Sequence, residues 1–240
     1  MRNGLRLPAW LLLVAVLLTG APSAHAQAGR AATPADRELV VILHGMGRTP
    51  WSMLPVERAL EAAGYDVLNI GYSSYCCEIA ALGAEVRREL DAGRGKHRTV
   101  HFVGHSLGAI LIRWMLAQEH PPRGVGRVVL MAPPNQGAQS ANRYAGVLGW
   151  LLEPIDELRT DSTATVRRLP PSLGVPVGII AAAHDGKVMV AETHLRGETD
   201  HVVVDANHAF VMRNDTAIAM TLAFLRDGRF PHLPESPTTR

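Results

Sequence analysis

The chain alternates short, continuous apolar runs with longer stretches in which apolar residues recur every three or four positions. Leu39 to Leu43 is wholly apolar and mostly β-branched, as a strand covered on both faces requires. Val100 to Val103, Val128 to Met131 and Val175 to Ala182 repeat that signature, and Tyr65 to Ile70 and His201 to Val204 alternate enough to join them. Between these runs the spacing becomes helical. Pro50 to Ala63 carries Trp51, Leu54, Val56, Ala59 and Leu60 and is stopped by Gly64; Ile79 to Leu90 places Ile79, Leu82, Val86 and Leu90 on one face, ended by Gly93 and Gly95. Ala109 to Leu116 and a segment from about Asn214 to Leu225 complete the set. Short apolar strands alternating with amphipathic helices predict an α/β fold, with a mostly parallel central sheet covered on both faces. In such sheets ligands gather beyond the carboxyl ends of the strands.

Two regions break the pattern. Residues 138–171 hold a Gly-interrupted apolar stretch, Tyr144 to Leu152, followed by polar residues and Pro170-Pro171, which reads either as a small lid or as a packing helix with a loop. At the amino end, Arg2 and Arg6 precede an apolar stretch, Leu7 to Leu18, and then Ala24-His25-Ala26. Basic start, apolar core and small residues at the cleavage positions describe a secretory signal peptide, residues 1–26, cut after Ala26. Its apolar core of about a dozen residues falls short of the ~20 that span a bilayer, so no stable membrane span is expected after cleavage. Residues 27–38 then form a polar lead-in, 39–230 the folded domain and 231–240 a tail. The expected location is periplasmic or secreted.

Charge narrows the partners. Removing residues 1–26 takes away Arg2 and Arg6 and no acid, leaving as many basic residues as the 22 acidic ones. A neutral mature chain argues against nucleic acid as a partner. Cys76 and Cys77 are adjacent, which excludes an ordinary disulfide framework within one chain; a vicinal bridge, an intermolecular pair and reduced thiols all remain open. Two cysteines without a ligand cluster give no metal signature, and no organic cofactor is implied.

The chemistry concentrates at Gly104-His105-Ser106-Leu107-Gly108, which fits G-x-S-x-G between an apolar strand and a helix. In this nucleophile elbow a serine is forced into a strained turn, and side chains at Gly104 or Gly108 would clash. The Leu107 amide falls at a helix N-terminus, where unpaired N–H groups favour developing negative charge. The loop His44-Gly45-Met46-Gly47, directly after the first strand, is where such hydrolases put a second oxyanion donor; the Met46 amide is the candidate. His44 is expected to pack beneath that loop and hydrogen-bond locally.

A serine hydroxyl needs an imidazole to take its proton, and the imidazole needs an anion to fix its tautomer. Ser106, Asp185 and His208 occur in the order serine, acid, histidine, each just beyond an apolar run. Gly186 is expected to let the Asp185 loop bend inward. Of the other histidines, His201 is internal to a strand, His184 neighbours the acid, and His105 sits in the elbow with its ring turned sideways. Asp205, three residues from His208, is poorly placed to reach around the ring, and Asp200 precedes its strand at the wrong edge of the sheet.

On His44-Gly45-Met46-Gly47, Gly104 to Gly108, Ala132 to Gly137, Asp185-Gly186-Lys187-Val188 and Asn207-His208, the chain resembles the α/β-hydrolases of the small bacterial lipase and esterase type. The resemblance spans the mature chain. It implies hydrolysis of a small-molecule ester or lipid through an acyl-serine, with Ser106, Asp185 and His208 as triad and the Met46 and Leu107 amides as oxyanion hole. Residues 138–171 are shorter than the lid of large secreted lipases. Acyl transfer through the same serine and lipid carriage without catalysis are the rival functions.

Overall fold

The apolar run that opens the domain forms strand β1 (Leu39–Leu43), every residue of it buried. Five more strands follow: β2 (Asp66–Ile70), β3 (Val100–His105), β4 (Val125–Met131), β5 (Val177–Ala182) and β6 (Asp200–Val204). Their order is β2-β1-β3-β4-β5-β6, and every neighbouring pair is parallel. The computed structural model describes residues 37–148 and 154–231. The predicted leader, nearly all of the lead-in, residues 149–153 and all but the first residue of the tail lie outside them.

The continuous apolar runs feed two cores, because successive side chains of a strand point to opposite faces. Val41, Leu43 and Phe102 pack with α2 (Ile79–Gly93) and α3 (Leu107–Leu116), whose predicted stripe Ile79, Leu82, Val86, Leu90 is wholly buried. Val40, Ile42 and Val103 pack on the other face with α1 (Leu54–Ala62) and the closing α8 (Asp215–Asp227). Asn214 caps α8 by accepting from the Ala217 amide, and Gly228, left-handed at φ 75°, ends it.

Differences from the sequence reading have local causes. The single helix expected over Pro50 to Ala63 is a 3-10 turn, Pro50–Met53, followed by α1, because Pro55 lacks the N–H a continuous helix would need there. A short helix, α7 (Val190–Thr193), was not expected at all; it follows the Asp185 loop. Residues 138–171 contain α4 (Gln139–Leu148), α5 (Pro154–Glu157) and α6 (Thr165–Arg168).

The chain winds outward from β1 to β2 and then crosses back to β3 on the other side of β1. The two connections diverge there, opening a crevice beyond the carboxyl ends of β1 and β3. The loop His44 to Gly47 and the turn at Ser106 both stand on that crevice.

Candidate active site

The elbow is built by close approach. A Cβ on Gly104 would sit 2.6 Å from Ile112 Cδ1 and 2.7 Å from the Ala109 nitrogen; one on Gly108 would sit 2.5 Å from the His44 carbonyl oxygen. Only glycine lets β3 turn this tightly into α3 while α3 presses on the end of β1. Ser106 carries the bend at φ 52°, ψ −117°, a conformation sparsely populated outside glycine, and its amide is tied to the Met131 carbonyl at 3.0 Å.

His208 lies in the loop after β6. Its Nε2 is 3.0 Å from Ser106 Oγ, and its Nδ1 is 2.7 Å from Asp185 Oδ2. The carboxylate accepts, so Nδ1 bears the proton and Nε2 offers a lone pair to the serine hydroxyl. The other Asp185 oxygen accepts from the Lys187 and Val188 amides, each at 2.8 Å. That side-chain turn bends the loop. Gly186 does not: it carries no positive φ, and a Cβ there would meet nothing within 4 Å. Of the competing acids, Asp205 points away and pairs with His184 at 3.0 Å, and Asp200 accepts from the Phe230 amide.

The His44 loop is pinned at nearly every peptide. His44 is fully buried, stacks on Tyr72 with ring centroids 4.2 Å apart, and donates from Nδ1 to the Gly45 carbonyl at 2.9 Å. Burial pushes its pKa below the ordinary histidine value, so the ring is neutral. The Tyr72 hydroxyl donates to the His44 carbonyl, and the Gly47 amide donates to Ser74 Oγ at 3.1 Å. A Cβ on Gly45 would lie 3.2 Å from Ser106 Cβ, so this loop runs against the serine. Among the described residues, neither the Met46 nor the Leu107 amide has a hydrogen-bond acceptor. Met46 lines the same cavity as Ser106 and His208.

The sequence undervalued His105. Its ring does turn sideways, but it donates from Nε2 to the His208 carbonyl at 2.9 Å, holding the backbone of the loop that carries the imidazole. Burial, and then the neighbouring His208, push its pKa well below the ordinary value and keep it neutral. Arg48 grips the same loop from the other side, donating to the Ala209 carbonyl at 3.2 Å with its guanidinium 5.9 Å from the Phe210 ring centre. Its position directly after the His44 loop was the available signal.

A cavity of about 390 Å³ opens over Ser106. Ala138, Ala141, Tyr144, Ile155 and Leu158, on α4, α5 and the residues just flanking them, form an apolar wall. That wall is bolted down by polar side chains. Glu192 accepts from the Gln139 amide at 2.9 Å and the Met189 amide at 2.8 Å, and Glu157 accepts from the Ile79 amide and the Thr165 hydroxyl. Arg113, on α3 and 2 % exposed, donates to the Asn135 carbonyl and side chain at 3.1 and 3.2 Å and to the Pro170 carbonyl at 3.2 Å. Burial, with a smaller push from Arg167, lowers its pKa to about 10. No group of three or more His, Cys, Asp or Glu among the described residues is arranged to hold a metal, and no described helix is long and apolar enough to cross a membrane.

No protein-family model matches the chain, and no curated protein matches it in sequence. Solved structures do match its shape. A lipase of Bacillus licheniformis in its mature form superimposes with a TM-score of 0.64 at 17% identity, over 80% of this chain and 93% of that one. A hydrolase from Pseudomonas aeruginosa gives 0.58 at 21% identity, over 80% and 91%. A bromoperoxidase from Bacillus anthracis gives 0.62 at 14%, over 80% and 92%. Likeness at these identities is likeness of fold, and the parallel six-stranded sheet with its elbow after β3 has the α/β-hydrolase fold.

Proposed function

We propose that the protein is an exported serine hydrolase that cleaves carboxyl esters with an apolar acyl group. The observation that carries this reading is the unbroken relay from Asp185 Oδ2 through both nitrogens of His208 to Ser106 Oγ, at 2.7 and 3.0 Å, beside two amides without acceptors among the described residues. A relay of this kind makes a serine hydroxyl nucleophilic, and attack on an acyl carbon is the chemistry it serves in the triad template. The lipase among the structural neighbours agrees with it.

In this mechanism Ser106 Oγ bonds to the ester carbonyl carbon as its proton passes to His208 Nε2, and Asp185 stabilises the imidazolium. The carbonyl oxygen takes the electron pair and is held by the Met46 and Leu107 amides; removing one such donor typically costs ~2.7–4 kcal/mol of barrier. The tetrahedral adduct collapses by breaking the bond to the alcohol oxygen, which takes the proton from His208. Water, deprotonated by His208, then releases the acid from Ser106. The apolar wall of α4 and α5 receives the acyl chain. Export rests on residues 1–26 as a cleaved signal peptide.

The test is hydrolysis of p-nitrophenyl esters from acetyl to palmitoyl by the protein and by Ser106→Ala. The expected result is a folded variant that has lost nearly all activity; activity surviving the substitution would remove Ser106 as nucleophile.

A further inference from the structure

The cavity lining is uneven in charge. Among the described residues, its ionised side chains outside the relay are Arg48 and Lys187, both cationic, and no Asp or Glu lines it. Among the described residues neither cation is ion-paired. Asp185, two residues from Lys187, is engaged by His208 and two amides. The chain without its leader is formally neutral, so this excess of positive charge is local.

The cations also have a side. Arg48 donates to the carbonyl of Ala209, the residue after His208, and Lys187 lies two residues beyond Asp185. Arg48 thus stands beside the loop of the base, and Lys187 lies between the loop of the acid and Ser140 of α4, which donates to its carbonyl at 2.6 Å. The group that His208 protonates on collapse of the adduct is the departing alcohol, which must leave on that flank, whereas the wall of α4 and α5 is apolar. From this arrangement, and resting on the hydrolase reading above, we propose that the site selects esters whose alcohol portion carries an anionic group, held by Arg48 and Lys187 while the acyl chain lies against the apolar wall. Arginine, already fixed by the Ala209 carbonyl and Phe210, supplies directed N–H donors; lysine supplies a mobile charge.

The experiment compares three octanoyl esters of matched size, those of glycerol, glycerate and glycerol 3-phosphate, each kept monomeric, with p-nitrophenyl butyrate as the reference. The glycerate and phosphate arms separate recognition of a carboxylate from recognition of a phosphate. The expected result is a kcat/KM for at least one anionic ester about tenfold above that of the glycerol ester at low salt, a margin that salt erodes. Lys187→Gln should cut the anionic-to-neutral ratio several-fold, and Arg48→Gln should do so independently. A glycerol ester cleaved as well as both anionic ones, or a ratio unmoved by both substitutions, would overturn the proposal while leaving the hydrolase standing. Failure to cleave any of the four esters would instead overturn the hydrolase reading on which it rests.

Discussion

The crevice at β1 and β3 and the wall of α4 and α5 face the same cavity but are held in opposite ways. Around Ser106 the backbone itself is locked: Gly104, Gly108 and Gly45 have no room for a Cβ, and the His44 loop is pinned by its own ring, by Tyr72 and by Ser74. The wall has one such point, where a Cβ on Gly137 would sit 2.2 Å from the Arg159 carbonyl oxygen and the Ala138 amide donates to the Leu158 carbonyl at 2.9 Å. Beyond it the wall hangs on long-range side-chain bonds, those of Glu192, Glu157 and Arg113. The turn at Ser106 is thus fixed by close backbone packing on several sides, and the wall largely by bonds that single substitutions can release.

The comparison is sharpened most by Asp185→Asn. The Asn oxygen can still accept from the Lys187 and Val188 amides, which turns its NH2 toward His208 Nδ1 and forces the proton onto Nε2, where it can no longer accept from Ser106. The fold should survive, and kcat should fall by about 10⁴. Next comes Gly108→Ala, whose Cβ would meet the His44 and Leu43 carbonyls at 2.5 and 2.6 Å. Backbone on both sides leaves no flexible group to yield, so a loss of several kcal/mol, or no soluble protein, is expected in a denaturant titration.

Glu192→Gln tests the wall. Glutamine has one acceptor oxygen where the carboxylate serves two amides, so one N–H is left facing another. A loss of ~1–3 kcal/mol in stability is expected. Activity on short esters should fall less than activity on long ones; equal loss at every chain length would mean that wall and crevice are one unit.

The smallest effect is with pH. His44, His101, His105 and His201 all have pKa values lowered chiefly by burial. Each is neutral in the fold and takes a proton more readily once unfolded, so their joint contribution is intact above the unfolded value near 6.5 and is lost as pH falls below it. Thermal midpoints should drop between pH 7 and pH 5, and His105→Gln should flatten that slope.

What the sequence disclosed follows the same division. The strands were legible because burial on both faces demands unbroken apolar runs, and Ser106 was legible because its turn demands glycines at fixed offsets. Asp185 and His208 were singled out by their places beyond apolar runs, and the structure joins Asp185 to His208 and His208 to Ser106. The wall was illegible because Glu157 ties it to Ile79, 78 residues away in sequence, and Glu192 reaches Gln139 from 53 residues away, and such bonds leave no local pattern. Arg113 did leave one, a lone charge inside the apolar run Ala109 to Leu116, and that charge is now accounted for by the carbonyls of Asn135 and Pro170.

The positive φ of Ser106 reaches beyond this one reaction. A serine there holds a shape that glycine adopts at ease, so the residue best for chemistry is not the residue best for folding. Cys77 at φ 74° and Ala132 at φ 46° carry the same burden, so among the described residues the chain keeps a side chain at three turns where glycine would fold more easily, and Ser106 is the one of them that stands in the cavity.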